Sequence, residues 1–312
     1  MWSISKAIAL PDSRFRLLAS ERFMLGVNAA IGALAVVLAL ALQHVVVWTP
    51  FVLGYAATLG LAAIGAYIRQ AKSSPRVALA VVGFAIYAGF TAVSLVFVFV
   101  LLPLGRPLID PTLIAIDGAL GYHWPAQVSW LADRPLLGQA LGQVYLSSQQ
   151  QLIFTILLLA ALSRELQLQR FLAVGMITLF ISVSIWWVIP SVGPSAFMDI
   201  PEEDILAIHL HFTPAFGEVL RSLIQDGPPE ISPEAITGVI AFPSYHMVMA
   251  MMVVWFSRGT FAFIPVVLLD SAMILATLSH GGHHLIDLIG GLVVFAFGVW
   301  IASRLIRAPE AS

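Results

Sequence analysis

Two short stretches hold the side chains able to do chemistry. Gly281-Gly282-His283-His284-Leu285-Ile286-Asp287 sets two imidazoles and a carboxylate at the start of an apolar run. His283 and Asp287 are four positions apart, so on a helix they share a face, one turn from each other. Asp287 can then accept a hydrogen bond from one ring nitrogen of His283, fixing the tautomer and leaving a lone pair on the other. Upstream, Phe242-Pro243-Ser244-Tyr245-His246 interrupts a second apolar run near its start. Together they place two histidines, a carboxylate and a hydroxyl at matching ends of two apolar helices. Ionisable groups in such segments are costly and mark function by default.

This set suits phosphoester cleavage through a covalent intermediate. A neutral His283 oriented by Asp287 can attack phosphorus, and a protonated His246 can donate to the leaving alcohol. Ser244 and backbone N–H groups at the start of its helix can bind phosphate oxygens. The scheme needs no cofactor and no metal. Three other readings use the same residues. His280 and His284 are also four apart and could ligate zinc or iron in a metal-dependent hydrolase. The cluster could be purely structural. Intramembrane His and Asp could form the proton relay of a transporter, for which Gln149, Gln150 and Gln151 are the best sign of a polar path; their simpler role is hydrogen bonding between helices.

The elements that must position these residues are membrane helices. The chain of 312 residues is 60% hydrophobic and 10% charged, with a mean hydropathy of +0.95, whereas soluble domains carry about 25% charged residues. No cysteine is present, which excludes disulfides and thiolate chemistry, and no basic block suggests a nucleic-acid partner. The expected fold class is all-α, a polytopic membrane helix bundle of about eight transmembrane helices. The spans fall near 23–46, 51–68, 77–103, 141–162, 171–190, 237–256, 262–279 and 284–305, by the ~20-residue rule. Loop 104–140 carries Trp124 and Trp130 and reads as interfacial segments. Loop 191–236 is acidic and reads as a solvated cap, with a lid over the site as the alternative.

With eight spans, the Lys and Arg residues of the short loops all fall on one side: Lys6, Arg14, Arg16 and Arg22, then Arg69, Lys72 and Arg76, then Arg164 and Arg170, then Arg258, then Arg304 and Arg307. The positive-inside rule puts both termini in the cytoplasm. His246 and His283 then face the outer, periplasmic side of a plasma (inner) membrane.

Phe-Pro-Ser-Tyr-His at 242–246 and Gly-His-His-Leu-Ile-Asp at 282–287 resemble the second and third motifs of the type 2 phosphatidic acid phosphatase superfamily, Pro-Ser-x-His and His-x-x-x-Asp. The register selects His283. The branch most similar contains the inositol phosphorylceramide synthases, whose third motif is commonly His-Tyr-x-x-Asp, with His284 in the tyrosine position. Trp187 to Pro194, Asp110 to Leu113 and Asp117 to Gly121 also resemble bacterial relatives in that branch. The resemblance implies a phosphohistidine and a membrane lipid substrate, whether phospholipid, lipid phosphate or ceramide. It also places transfer slightly ahead of hydrolysis.

It implies catalytic His283, His246 and Asp287, with Ser244, Tyr245, His284 and Arg134 as substrate-binding candidates. The superfamily's Ser-Arg pair corresponds to Ala276-Thr277, and its Lys…Arg-Pro first motif has no clear counterpart. Arg134-Pro135 and Arg106-Pro107 lie on the correct side, and His209, His211 and Arg221 are further candidates for holding phosphate. The expected organisation is residues 1–104 as N-terminal spans of unassigned role, 105–305 as the catalytic membrane domain and 306–312 as a cytoplasmic tail.

Overall fold

The computed structural model describes residues 17–71 and 73–307. Lys6, Arg14, Arg16, Lys72 and tail residues 308–312 lie outside the described residues. The chain is all-helical among these: α1 (Ala19–Ala41), α2 (Trp48–Gln70), α3 (Pro75–Val100), α4 (Asp110–Ala119), α5 (Trp124–Ala132), α6 (Pro135–Leu146), α7 (Ser148–Ala161), α8 (Glu165–Val188), α9 (Glu202–Ile208), α10 (Pro214–Asp226), α11 (Tyr245–Ser257), α12 (Phe263–Ser279) and α13 (Leu285–Leu305).

Helices α1, α2, α3, α8 and α13 are long and apolar enough to cross a membrane, and α6 with α7 makes a sixth span bent by 52°. The bend falls at Ser147, whose hydroxyl donates to the Val144 carbonyl and accepts from Gln151. Helices α11 and α12 are apolar but have 13 and 17 residues, short for a bilayer core that takes about 20. The expected count of about eight is reached only with these two included. Side chains such as Leu40, Leu53, Tyr67 and Val293 are exposed on the outside of the bundle, as lipid-facing residues must be.

Helix α3 packs against both α1 and α2, and against α7 and α8 on its other side. A buried cluster that includes Ile86, Ile156, Phe171, Met252 and Phe295 joins α3, α7, α8, α11 and α13. The described basic residues of the short loops gather at one end, while Arg106, Arg134 and Arg221 lie in the long loops. Arg69 pairs with buried Glu21 at 2.6 Å. Arg164 donates to the Arg258 carbonyl at 2.9 Å, and Arg170 to that of Ile306 at 2.9 Å. Helix α13 has 21 residues, so its start lies about 30 Å from that end at 1.5 Å per residue.

Loop 104–140 contains α4 and α5, each too short to cross, in line with interfacial segments. Loop 191–236 does more than cap. Phe212 and Leu220 of this loop, with residues 237–241 after it, roof a cavity inside the bundle.

Candidate active site

The Phe242-Pro243-Ser244 turn leads into α11. Ser244 is its N-cap, and its hydroxyl accepts from the Met247 N–H at 3.4 Å, relieving one of the unpaired donors of the first turn. The Ser244 N–H donates to the Asp287 carbonyl at 2.9 Å, which stitches the two motifs together. Gly291 permits the approach: a Cβ there would lie 2.5 Å from the Ser244 carbonyl oxygen.

Helix α13 begins at Leu285, one residue after the start of the expected span, so His283 and His284 precede it. Asp287 reaches back to accept the His284 N–H at 2.9 Å, the reciprocal half of a capping box. The same Oδ2 lies 3.1 Å from Nδ1 of His283. The four-residue pairing is therefore made by a cap and not along a helix face. With Nδ1–H donated to Asp287, Nε2 keeps its lone pair and faces the Ser244 hydroxyl at 3.4 Å. His283 is 3% exposed, and Ser244 and Asp287 are fully buried.

His246 lies one residue inside α11. Its ring stacks on Tyr145 of α6, centroids 4.2 Å apart, and stands 6.2 Å from the His283 ring. The two imidazoles make no direct hydrogen bond to each other. Both histidines line a cavity of about 390 Å³.

The turn 278–283 is held from several sides. Tyr122 donates to the Leu278 and His283 carbonyls at 3.2 and 3.4 Å. Trp124 donates to that of Ser279 at 3.1 Å. His280 bridges to the Gly138 carbonyl at 2.9 Å, and burial pulls its pKa down to about 4. Gly193 has φ +88°, and a Cβ there would run into the Gly282 carbonyl oxygen, so only glycine fits this crossing.

Three of the substrate-binding candidates have partners of their own in the structure. His284 does not face the cavity: it is fully buried, with Nδ1 2.7 Å from Asp117 and Nε2 3.4 Å from Asp110. Asp110 also accepts from the Ser191 hydroxyl at 2.8 Å and the Gly193 N–H at 2.7 Å. The stretches at 110, 117 and 190–194 thus converge on one buried imidazole. Tyr245 lines the cavity with its ring, but its hydroxyl donates to the Gly175 carbonyl at 3.0 Å, fastening α11 to α8. Arg134 is exposed. Its guanidinium lies 4.2 Å over the Trp130 ring and donates to the Trp130 carbonyl at 2.8 Å, outside the cavity.

Of the other phosphate-holding candidates, Arg106 lies over Trp187 and Arg221 pairs with Glu218 at 2.6 Å. No arginine side chain lines the cavity among the described residues. His209 is exposed. His211 stacks against Tyr145 at 6.2 Å and sits 5.1 Å from His280. His280 and His284, the pair considered for a metal, are turned to different partners, Gly138 and Asp117. Tyr145 has no role in the sequence reading, and Asp110 and Asp117 enter it only through a resemblance; they reach the site across more than a hundred residues, a distance no local pattern encodes.

A family model described as the PAP2 superfamily matches residues 111–301. No curated protein and no solved structure matches the chain.

Proposed function

We propose that this chain, which belongs to the PAP2 superfamily, is an integral-membrane lipid phosphatase or phosphotransferase working through a phosphohistidine on His283. The observation that carries the reading is the fixed order Asp287 – His283 – Ser244, with His246 across a gap of 6.2 Å between ring centres.

In the first step the Nε2 lone pair of His283 attacks phosphorus and the bond to the leaving oxygen breaks. Protonated His246 gives that oxygen its proton, so a neutral lipid alcohol departs. Asp287 balances the positive charge that develops on the imidazole and holds its tautomer. In the second step an acceptor O–H attacks phosphorus, the N–P bond breaks, and the acceptor's proton passes to His246. Water as acceptor gives hydrolysis, and a lipid hydroxyl gives transfer.

The cavity beside Nε2 is mostly apolar, which supports a lipid as the reacting partner; the preference for transfer over hydrolysis rests on the resemblance of the motifs. The basic end of the bundle supports a cytoplasmic location for that end, and hence an active site at the outer leaflet. The inositolphosphotransferase branch, with ceramide as acceptor, rests on the third motif and the Pro190–Pro194 stretch.

Purified protein incubated with a panel of lipid phosphates and phospholipids in oxygen-18 water tests the reading, with all products weighed by mass spectrometry. Label in the released phosphate or phospho-headgroup means hydrolysis, and unlabelled headgroup on added ceramide or diacylglycerol means transfer. No product of either kind across the panel would overturn the proposal.

A further inference from the structure

We propose that α3 forms the wall of a chamber for one hydrocarbon chain of the lipid substrate, entered sideways between α3 and α7. This rests on reading the protein as an enzyme of lipid phosphates. It assigns a role to a helix that lies before the residues matched by the superfamily.

The cavity at His246 and His283 extends away from them along α3. The α3 residues that line it form two rows with a four-residue step: Ile86, Phe90, Ser94 and Val98, and beside them Tyr87, Thr91, Leu95 and Phe99. Such rows make one continuous helix face. From 86 to 99 that face is about 20 Å long at 1.5 Å per residue. One leaflet of a bilayer core is roughly 15 Å deep, half of the ~30 Å total, so the chamber is as long as an acyl chain in its own leaflet.

The opposite walls are apolar too, with Leu152 of α7, Phe171 and Met176 of α8, and Met249 of α11. A soluble phosphate compound would gain nothing from this length of hydrocarbon surface, whereas an alkyl chain leaves water or lipid for it with its headgroup at the histidines.

The two rows differ in exposure, and that difference locates the mouth. The first row is buried, with Ile86 at 0% and Phe90 at 7%. In the second row Leu95 is 40% exposed, though Phe99 at its end is buried, and Gln149 of α7, which meets Tyr87, is exposed as well. Leu95 and Gln149 both line the cavity, so it opens through the side of the bundle. The Tyr87 hydroxyl donates to Oε1 of Gln149 across this opening, and Thr91 lies between Tyr87 and Leu95. A lipid can thus slide in from the bilayer without its chain crossing the roof formed by Phe212 and Leu220.

The test uses full-length protein in phosphatidylcholine vesicles doped with a phosphatidic acid whose acyl chain ends in a diazirine. After photolysis, adducts are mapped by mass spectrometry, and released phosphate is measured in the same vesicles. We expect adducts within residues 86–99, reduced at least fivefold by excess unlabelled phosphatidic acid and by Thr91→Trp, which fills the chamber. Adducts on the outer faces of α1 and α2 should be unchanged by either. The competition arm needs no variant, so it decides the matter even where Thr91→Trp does not fold. Adducts confined to outward-facing residues, or adducts at 86–99 that excess lipid does not reduce, overturn the chamber. Turnover without chamber adducts sinks the chamber alone, while chamber adducts without turnover uphold it and sink the catalytic reading.

Discussion

Oδ2 of Asp287 accepts from both the His284 backbone N–H, at 2.9 Å, and the His283 ring, at 3.1 Å. One carboxylate oxygen therefore ends the loop, starts α13 and orients the proposed nucleophile. A side chain that must satisfy the helix cap cannot drift, so Nε2 of His283 is held toward Ser244 before any substrate arrives.

That double duty separates two substitutions. Asp287→Asn keeps the shape but offers an amide that can present its N–H to Nδ1 and select the wrong tautomer. We expect kcat to fall on the order of 10²- to 10⁴-fold, with measurable residual turnover, by the size of such losses in histidine–carboxylate pairs. His283→Ala should leave none. Phosphate or headgroup release from a lipid substrate checks both, and equal residual rates in the two variants would contradict the assigned roles.

The clamp around His284 carries a different expectation. The ring is fully buried between Asp117 and Asp110. Removing one partner of a buried charged pair costs about 3–5 kcal/mol. Asp117→Ala should therefore lower the melting temperature in detergent markedly, and His284→Ala should do the same. An unchanged melting profile with lost activity would instead return His284 to the substrate side.

The chemistry-bearing motifs and the apolar spans could be read along the chain because both are local: a spacing of four, a Pro-Ser-x-His string, runs of apolar residues. The sequence reading put His283 on the helix because the apolar run continues up to it. The structure begins the helix at Leu285 with His284 as its N-cap, since Asp287 caps the backbone there. Arg134 was placed by a two-residue string, and Trp130, four residues earlier, captures its guanidinium instead. The Asp110–His284–Asp117 clamp joins residues over 160 positions apart, so the stretches around 110, 117 and 190 could be noticed but not explained. The 141–162 span hid its bend, because Ser147 turns the chain by hydrogen bonds and not by a proline or glycine signal.

A pH effect follows from His280, which is fully buried and whose pKa burial lowers from 6.5 to about 4. The unfolded chain binds a proton there at a higher pH than the folded one does. The stabilisation is complete above about pH 6.5 and is lost as pH falls toward 4. Wild-type protein should lose melting temperature between pH 7 and 4.5 by more than His280→Gln does. Parallel curves for the two would show that the site carries no such linkage.

Orientation can be read in intact cells. If the basic end is cytoplasmic, a cysteine at Glu203, on exposed α9 at the site end, should react with an impermeant maleimide without permeabilisation. Labelling only after permeabilisation would place the active site on the inner face.

The covalent intermediate is the centre of the account, and trapping it is the most direct measurement. Protein mixed with a lipid carrying a radiolabelled phosphate, quenched within one turnover in alkali and digested, should yield label on the peptide containing His283. The label should be stable to base, labile to acid and absent from His283→Ala. A turning-over enzyme that carries its label on another residue, or carries none at any quench time, would contradict the mechanism.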